Sequence, residues 1–353
     1  MSELSRATHL NLALAKKRVA VLFVPVMILG IETIFVKPWP VFGDASFYAA
    51  MAKDPFVFMT PQGYTGNAYG YRILTPLIVH ALPLSADSGF WIVTIVSLLL
   101  SAVVLYLFLT QCFSLSHRMG ILGQFLFLTD ITIVYNVGNL RLVDPLAYLF
   151  LILGLYFAYS QMSVLFAITF PLGVVNKEIE LILAPLYYLI NNDRKLDLAC
   201  LRKTVLLCAP GIVCFWALHV LISGRIEEPS SSTATITANL AYSWLSRPVQ
   251  STGWLVFSWS LLWALAFLGY ARYCHEDRAR RLVWLMPFVF ALAIVYDVSR
   301  MLAYGFPAMI AYSLCTVGAW SKSRRGLLAT VLVIATQTIL QVALLVFVLH
   351  WVG

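Results

Sequence analysis

The stretch SGFWIVTIVSLLLSAVVLYLFLTQ, residues 88–111, contains no Asp, Glu, Lys, Arg or His. An α-helix rises about 1.5 Å per residue, so roughly twenty such residues cross a hydrocarbon core about 30 Å thick. The pattern recurs along the chain, and spans are expected at 19–36, 88–111, 120–138, 145–160, 163–175, 178–191, 204–222, 253–272, 283–297, 301–319 and 326–349. Composition agrees. Of the 353 residues 61% are hydrophobic and 11% charged, with a mean hydropathy of +0.85. A soluble domain carries about 25% charged residues, which excludes an ordinary globular protein. The sequence therefore reads as an all-α polytopic membrane protein with about eleven transmembrane helices, forming one domain over 1–353.

The net charge of +8 points to no nucleic-acid partner, because in a membrane protein the position of basic residues matters more than their sum. With the N-terminus cytoplasmic, the inner segments collect Arg6, Lys16, Lys17, Arg18, Arg118, Arg194, Lys195, Arg202, Lys203, Arg272, Arg278, Arg280, Arg281, Lys322, Arg324 and Arg325. The outer segments keep Lys37, Lys53, Arg72, Arg141, Lys177, Arg225, Arg247 and Arg300. This is the bias of the positive-inside rule. No small-residue cleavage site follows the first span, so no cleavable signal peptide is expected. The six cysteines form no C-x-x-C or metal spacing, and the chain has no N-x-S/T sequon. These features fit a bacterial inner-membrane protein.

Two external loops are long, 37–87 and 223–252. The second is Ser/Thr-rich in part and reads as a flexible loop. The first contains VFGDASFYAAMAKDPF, residues 41–56, expected to form a short interfacial helix over 44–54 that ends before Pro55. A second interfacial helix is expected over 70–82, where Ile73, Leu74, Leu77 and Ile78 recur at helical spacing.

This topology lines the outer boundary with ionisable residues. Asp44, Asp54 and Arg72 come from the first loop, and Arg141 and Asp144 from NLRLVDPLAYL. Lys177, Glu178 and Glu180 come from VVNKEIELIL, and Asp297 and Arg300 from YDVSRMLAYGFP. Charges at the membrane edge are costly unless paired or wet, and by default mark a site. Cations beside carboxylates suit a ligand with a phosphate to clamp and hydroxyls to orient or deprotonate.

The Gly43-Asp44 opening, the interfacial YRILTPL, the Asp144-Pro145 helix start, the NKE of 176–178 and the late D-x-x-R…P together resemble the GT-C glycosyltransferase superfamily, in its compact bacterial mannosyltransferase-like branches. The resemblance implies an inverting hexosyltransferase of cell-envelope glycan biosynthesis. It would take a sugar from a polyprenyl-phosphate donor and pass it to a lipid, glycan or protein acceptor at the extracytoplasmic face, among membrane lipids and without a cofactor. The family's catalytic aspartate maps onto Asp44. Many members carry two adjacent acids there, whereas this chain has Gly43-Asp44. Charge and placement assign Arg72, Lys177 and Arg300 to the donor phosphate, and Asp144, Glu178, Asp297 and Arg141 to sugar or acceptor.

Plainer readings stand beside these. Asp44 and Asp144 can cap helices, and Asp54 can simply end one. Arg72 can snorkel to headgroups, Arg141 can pair with Asp144, Lys177 with Glu178, and Asp297 with Arg300. Asp130 and Glu32 lie deeper in their spans, where they bond to neighbouring helices or face the cavity. FPLG (170–173) and YGFP (304–307) mark expected helix breaks. Among the scattered histidines only His80 falls near the charges, so no metal site is expected. Two other functions use the same features: a non-enzymatic carrier or flippase for an anionic lipid, and a polysaccharide polymerase or ligase.

Overall fold

A computed structural model describes residues 3–36, 44–55, 70–192, 197–223, 251–253, 258–295 and 298–352. Most of the second external loop and Asp297 lie outside the described residues. Among the described residues the regular structure is entirely helical. In chain order the α-helices are α1 (Glu3–Phe35), α2 (Asp44–Lys53), α3 (Leu74–Ala81), α4 (Ala86–Leu107), α5 (His117–Leu128) and α6 (Ile131–Gly138). They continue with α7 (Asp144–Tyr159), α8 (Ser163–Asn176), α9 (Leu183–Asn191), α10 (Leu198–Ser223) and α11 (Leu262–Leu268). The last are α12 (Asp277–Arg280), α13 (Leu285–Val295), α14 (Val298–Ala303), α15 (Phe306–Trp320) and α16 (Arg324–Val352).

The charge-free stretch of the opening forms α4, prolonged by a π-helical turn at Phe108–Cys112. It starts where Ser85 accepts the Ser88 amide hydrogen at 3.3 Å. Three helices are long and apolar enough to cross a membrane, at Ala86–Cys112, Leu198–Leu221 and Arg324–Ala343. The pair α5 and α6, bent by 54°, makes a fourth if counted as one span. Four further apolar helical stretches fall below that length, at Val19–Phe35, Asp144–Tyr159, Ser163–Asn176 and Phe306–Trp320.

Asp130 explains the bend. Its extended backbone stops α5, and its Oδ1 accepts the Thr132 amide hydrogen at 2.9 Å to start α6. The expected break at FPLG is absent, since α8 runs through Pro171, whereas YGFP does separate α14 from α15 with Gly305 as the cap and Pro307 in the first turn.

Burial runs inside-out relative to a soluble protein. Val205, Leu206, Val213 and Trp216 on α10, and Leu328, Leu332 and Ile339 on α16, are exposed, while Arg72, Asp144, Lys177 and Glu180 are buried. Water cannot be the solvent of such a surface; hydrocarbon can. In the centre α4 packs on α7, α7 on α8, and α8 on α10, while α11 packs on α15. The α11–α15 approach is close because the π-helical turn after α11 begins with Gly269, where a Cβ would stand 1.8 Å from the Tyr312 carbonyl oxygen. Since α7 and α8 are joined by a short turn, the start of α7 and the end of α8 lie at the same end of the bundle.

The two interfacial segments form helices over that end. Helix α2 packs on α3, and the His80 ring nitrogen Nδ1 lies 3.0 Å from the Ala52 carbonyl oxygen. Tyr48, Met51, Ile73 and Val79 make one cluster with Phe90 and Val143. The buried residues of α3 are Thr75, Pro76 and Val79, and Leu77 points outward, so the inward face lies to one side of the apolar stripe read from spacing.

Candidate active site

Five chain segments bring their charges together at the end of the bundle covered by α2 and α3. Asp44 opens α2, with its carboxylate in the helix's first turn. Tyr48 follows one turn later, so both side chains share a face. Arg72 precedes α3, Asp144 starts α7, and Lys177 ends α8. Arg300 lies in α14.

The local backbone explains each position. Lys177 leaves the helix in an extended conformation, with φ −160° and ψ 128°, before the 3-10 turn Glu178–Ile182. That kink turns its side chain into the bundle, where it is 1% exposed. At the start of α7 the cap position falls to Val143, with Pro145 in the first turn. Asp144 is therefore inside the helix, and its carboxylate serves tertiary partners rather than a cap. Asn176 fixes the frame: it accepts from the Thr75 hydroxyl at 2.6 Å and donates to the Val143 carbonyl at 3.0 Å, joining α3, α7 and α8.

Arg300 bridges two carboxylates. Its Nη1 donates to Asp44 Oδ2, and its Nη2 to Asp144 Oδ2 at 2.6 Å. The other Asp144 oxygen accepts from the Lys177 ammonium and from the Tyr304 hydroxyl, the latter at 3.1 Å. Lys177 Nζ also stands 5.1 Å from the centre of the Tyr304 ring, a cation–π distance. Beside this set, Arg72 grips Glu178 with Nε and Nη2, the Nε bond measuring 2.9 Å. Arg72 Nη1 donates to the Tyr48 hydroxyl at 3.0 Å. Arg72 is 7% exposed and does not reach outward.

Burial pushes the Asp44 carboxyl up, but the adjoining Arg300 guanidinium outweighs it and holds the group below its ordinary value. In this arrangement Asp44 is a carboxylate with little affinity for a proton. Removing Arg300 from it would reverse that balance.

The structure thus brings together Asp44, Arg72, Asp144, Lys177, Glu178 and Arg300. Arg141 lies apart: its guanidinium is held by Asp87, 2.5 Å away, with side chains 23% and 71% exposed. Tyr48, Tyr304 and Asn176 belong to the cluster and escaped the sequence reading, because a buried Tyr or Asn in a membrane chain carries no local signal of its partner. Among the described residues no three His, Cys, Asp or Glu side chains are grouped to hold a metal ion.

The chain is similar in structure to the oligosaccharyltransferase of Archaeoglobus fulgidus, solved with a tethered acceptor peptide containing the NVT sequon. The TM-score is 0.50 at 14% identity, over 92% of this chain and 55% of that one. A structure of the same enzyme in complex with Zn and sulfate gives 0.49 at 15% identity, over 91% and 52%. The chain spans about half the length of that enzyme. No family model matches the sequence, and no curated protein matches it. At this identity the likeness is one of fold alone.

Proposed function

We propose that this protein is an inverting GT-C-type glycosyltransferase that moves a sugar from a polyprenyl-phosphate donor to an acceptor hydroxyl, with Asp44 as the general base. The observation that carries the reading is the Arg300 bridge between Asp44 and Asp144. Such a bridge is a closed form of a phosphate site. A donor phosphate competes for the guanidinium with a matching pair of oxygens, and its arrival would release Asp44 as the donor binds.

The step is a single displacement. Asp44 takes the proton of the acceptor hydroxyl, and the hydroxyl oxygen attacks the anomeric carbon. The bond from that carbon to the phosphate oxygen breaks, leaving polyprenyl phosphate. Its charge is met by Arg300, Arg72 and Lys177 in a poorly hydrated site, where fixed charge acts strongly. Asp144, Glu178 and Asp297 orient sugar hydroxyls. Arg141 has no part in this scheme, because Asp87 holds it on the exposed side. The acceptor is a lipid, glycan or protein.

The wider reading is an eleven-span protein of a bacterial inner membrane, with its N-terminus cytoplasmic and the charged site extracytoplasmic. The basic-residue asymmetry and the roof formed by α2 and α3 support it.

The test is transfer from a synthetic polyprenyl-phosphate sugar by the parent and by Asp44→Asn at equal amounts of folded protein. Loss of a general base lowers the rate by about 10²–10⁴-fold. Transfer by Asp44→Asn at the parent rate rejects the assignment. A parent that transfers nothing from any such donor, yet moves lipid across liposomes, is a carrier instead.

A further inference from the structure

Glu180 is an ionisable group of this region that the scheme above does not use. It is 0% exposed, and neither carboxylate oxygen has a hydrogen-bond partner among the described residues. Leaving a buried polar group unpaired costs about 1–3 kcal/mol, and more when it is charged, so a residue kept in that state needs a reason.

Its surroundings supply one. The Glu180 amide donates to the Lys177 carbonyl at 3.1 Å, closing the first turn of the 3-10 segment. Both side chains are buried, Lys177 1% and Glu180 0% exposed. Helices α7 and α8 wall Glu180 in. A Cβ on Gly173 would stand 3.1 Å from both Glu180 Cγ and Phe150 Cβ, so α7 and α8 pack closely against this side chain. Lys177 and Tyr304 lie near enough to interact electrostatically with Glu180, and both bond to the same Asp144 oxygen. Lys177 therefore has a bonded counter-ion in Asp144 and a second carboxylate, unbonded, on its own turn.

We propose that Glu180 is a reserve counter-ion for Lys177, to which the ammonium turns when Asp144 is drawn away. With donor bound, Arg300 leaves for the phosphate and Asp144 turns to a sugar hydroxyl. Lys177, having lost Asp144, then keeps a protein counter-ion in Glu180 while its charge also faces the phosphate. Glu180 is a positioning residue in this account, not one that touches substrate. The part concerning the donor rests on the glycosyltransferase reading; the pairing of Lys177 with Glu180 does not.

A double-mutant cycle on thermal unfolding in detergent tests the pairing without any assay of transfer. Asp144→Asn removes the bonded partner and Glu180→Gln the reserve. The expected result is a small Tm shift for Glu180→Gln alone, a larger fall for Asp144→Asn, and a fall in the double variant well beyond the two added together. Additive shifts overturn the proposal. If the double variant does not accumulate, adding Lys177→Met decides: recovery of folded protein supports an orphaned ammonium as the cause, and failure to recover overturns it. The donor arm uses a polyprenyl-phosphate sugar and the steady-state split. Glu180→Gln should lower kcat several-fold with a smaller change in KM, and Glu180→Asp should restore part of the loss. A non-additive cycle with unchanged kinetics keeps the reserve partner and rejects its part in turnover.

Discussion

Arg300 Nη2 lies 2.6 Å from Asp144 Oδ2, joining α14 to the first turn of α7 across 156 residues of sequence. The same guanidinium holds Asp44 from α2, so one side chain ties the roof of the site to its floor. Asp144 is wholly buried, and Arg300 and Asp44 are mostly so.

Substituting Arg300→Gln should therefore be costly. Two carboxylates lose their shared cation at once, and breaking a buried pair costs about 3–5 kcal/mol. The expected result is a clear fall in Tm together with loss of transfer. Asp44→Asn in the same chain should recover part of the Tm and none of the activity, which thermal unfolding and a transfer assay measure side by side.

Acid should act on the same pair. The Asp44 carboxyl is held below its ordinary value, burial opposing and Arg300 prevailing. A group depressed in the folded state gives stability that is present above its unfolded pKa, about 3.9, and lost as pH falls through the folded value. On the account of Asp44, Tm should be flat above about pH 5 and decline below about pH 4, and Asp44→Asn should flatten that acid limb. An acid limb that is the same in both proteins speaks against the pairing.

Asn176 holds three elements with two bonds, to Thr75 and to Val143. Asn176→Leu leaves a buried hydroxyl and a buried carbonyl without these bonds, a loss of about 1–3 kcal/mol. Because α3 carries Arg72 at its start, transfer should fall by more than the stability loss alone explains. Unfolding and initial rates on one preparation separate the two.

Arg141→Ala should do little. An exposed ion pair is worth about 0–1 kcal/mol, and Asp87 is its partner here. Transfer within about twofold of the parent is expected, since a change that small amounts to only about 0.4 kcal/mol. A hundredfold loss would bring Arg141 back into the substrate site.

Much of this arrangement was legible from composition and periodicity. The charge-free stretch 88–111, the helix of Asp44–Lys53 and the gathering of edge charges follow from local rules, because each depends on neighbours a few residues away. The pairings do not. Asp44 and Arg300 are separated by 256 residues, and nothing local distinguishes that partner from Asp297, three residues before Arg300. Arg141 lies three residues before Asp144 and suggested a pair, yet the turn between α6 and α7 sends it to Asp87. Asp144-Pro145 looked like a capping signal, but the cap shifted by one residue and left the carboxylate free for Lys177, Arg300 and Tyr304. The span count is met in part: three helices, or four with the bent pair, are long and apolar enough to cross a membrane, while α7, α8 and α15 are apolar but shorter.

The central claim is that a donor phosphate takes Arg300 from Asp44. A cryo-EM map of the protein with a polyprenyl-phosphate sugar analogue bound tests it most directly. The account predicts the Arg300 guanidinium against the phosphate oxygens and the Asp44 carboxylate freed, facing the anomeric carbon. A map with the phosphate bound elsewhere and Arg300 still bridging Asp44 and Asp144 would contradict it.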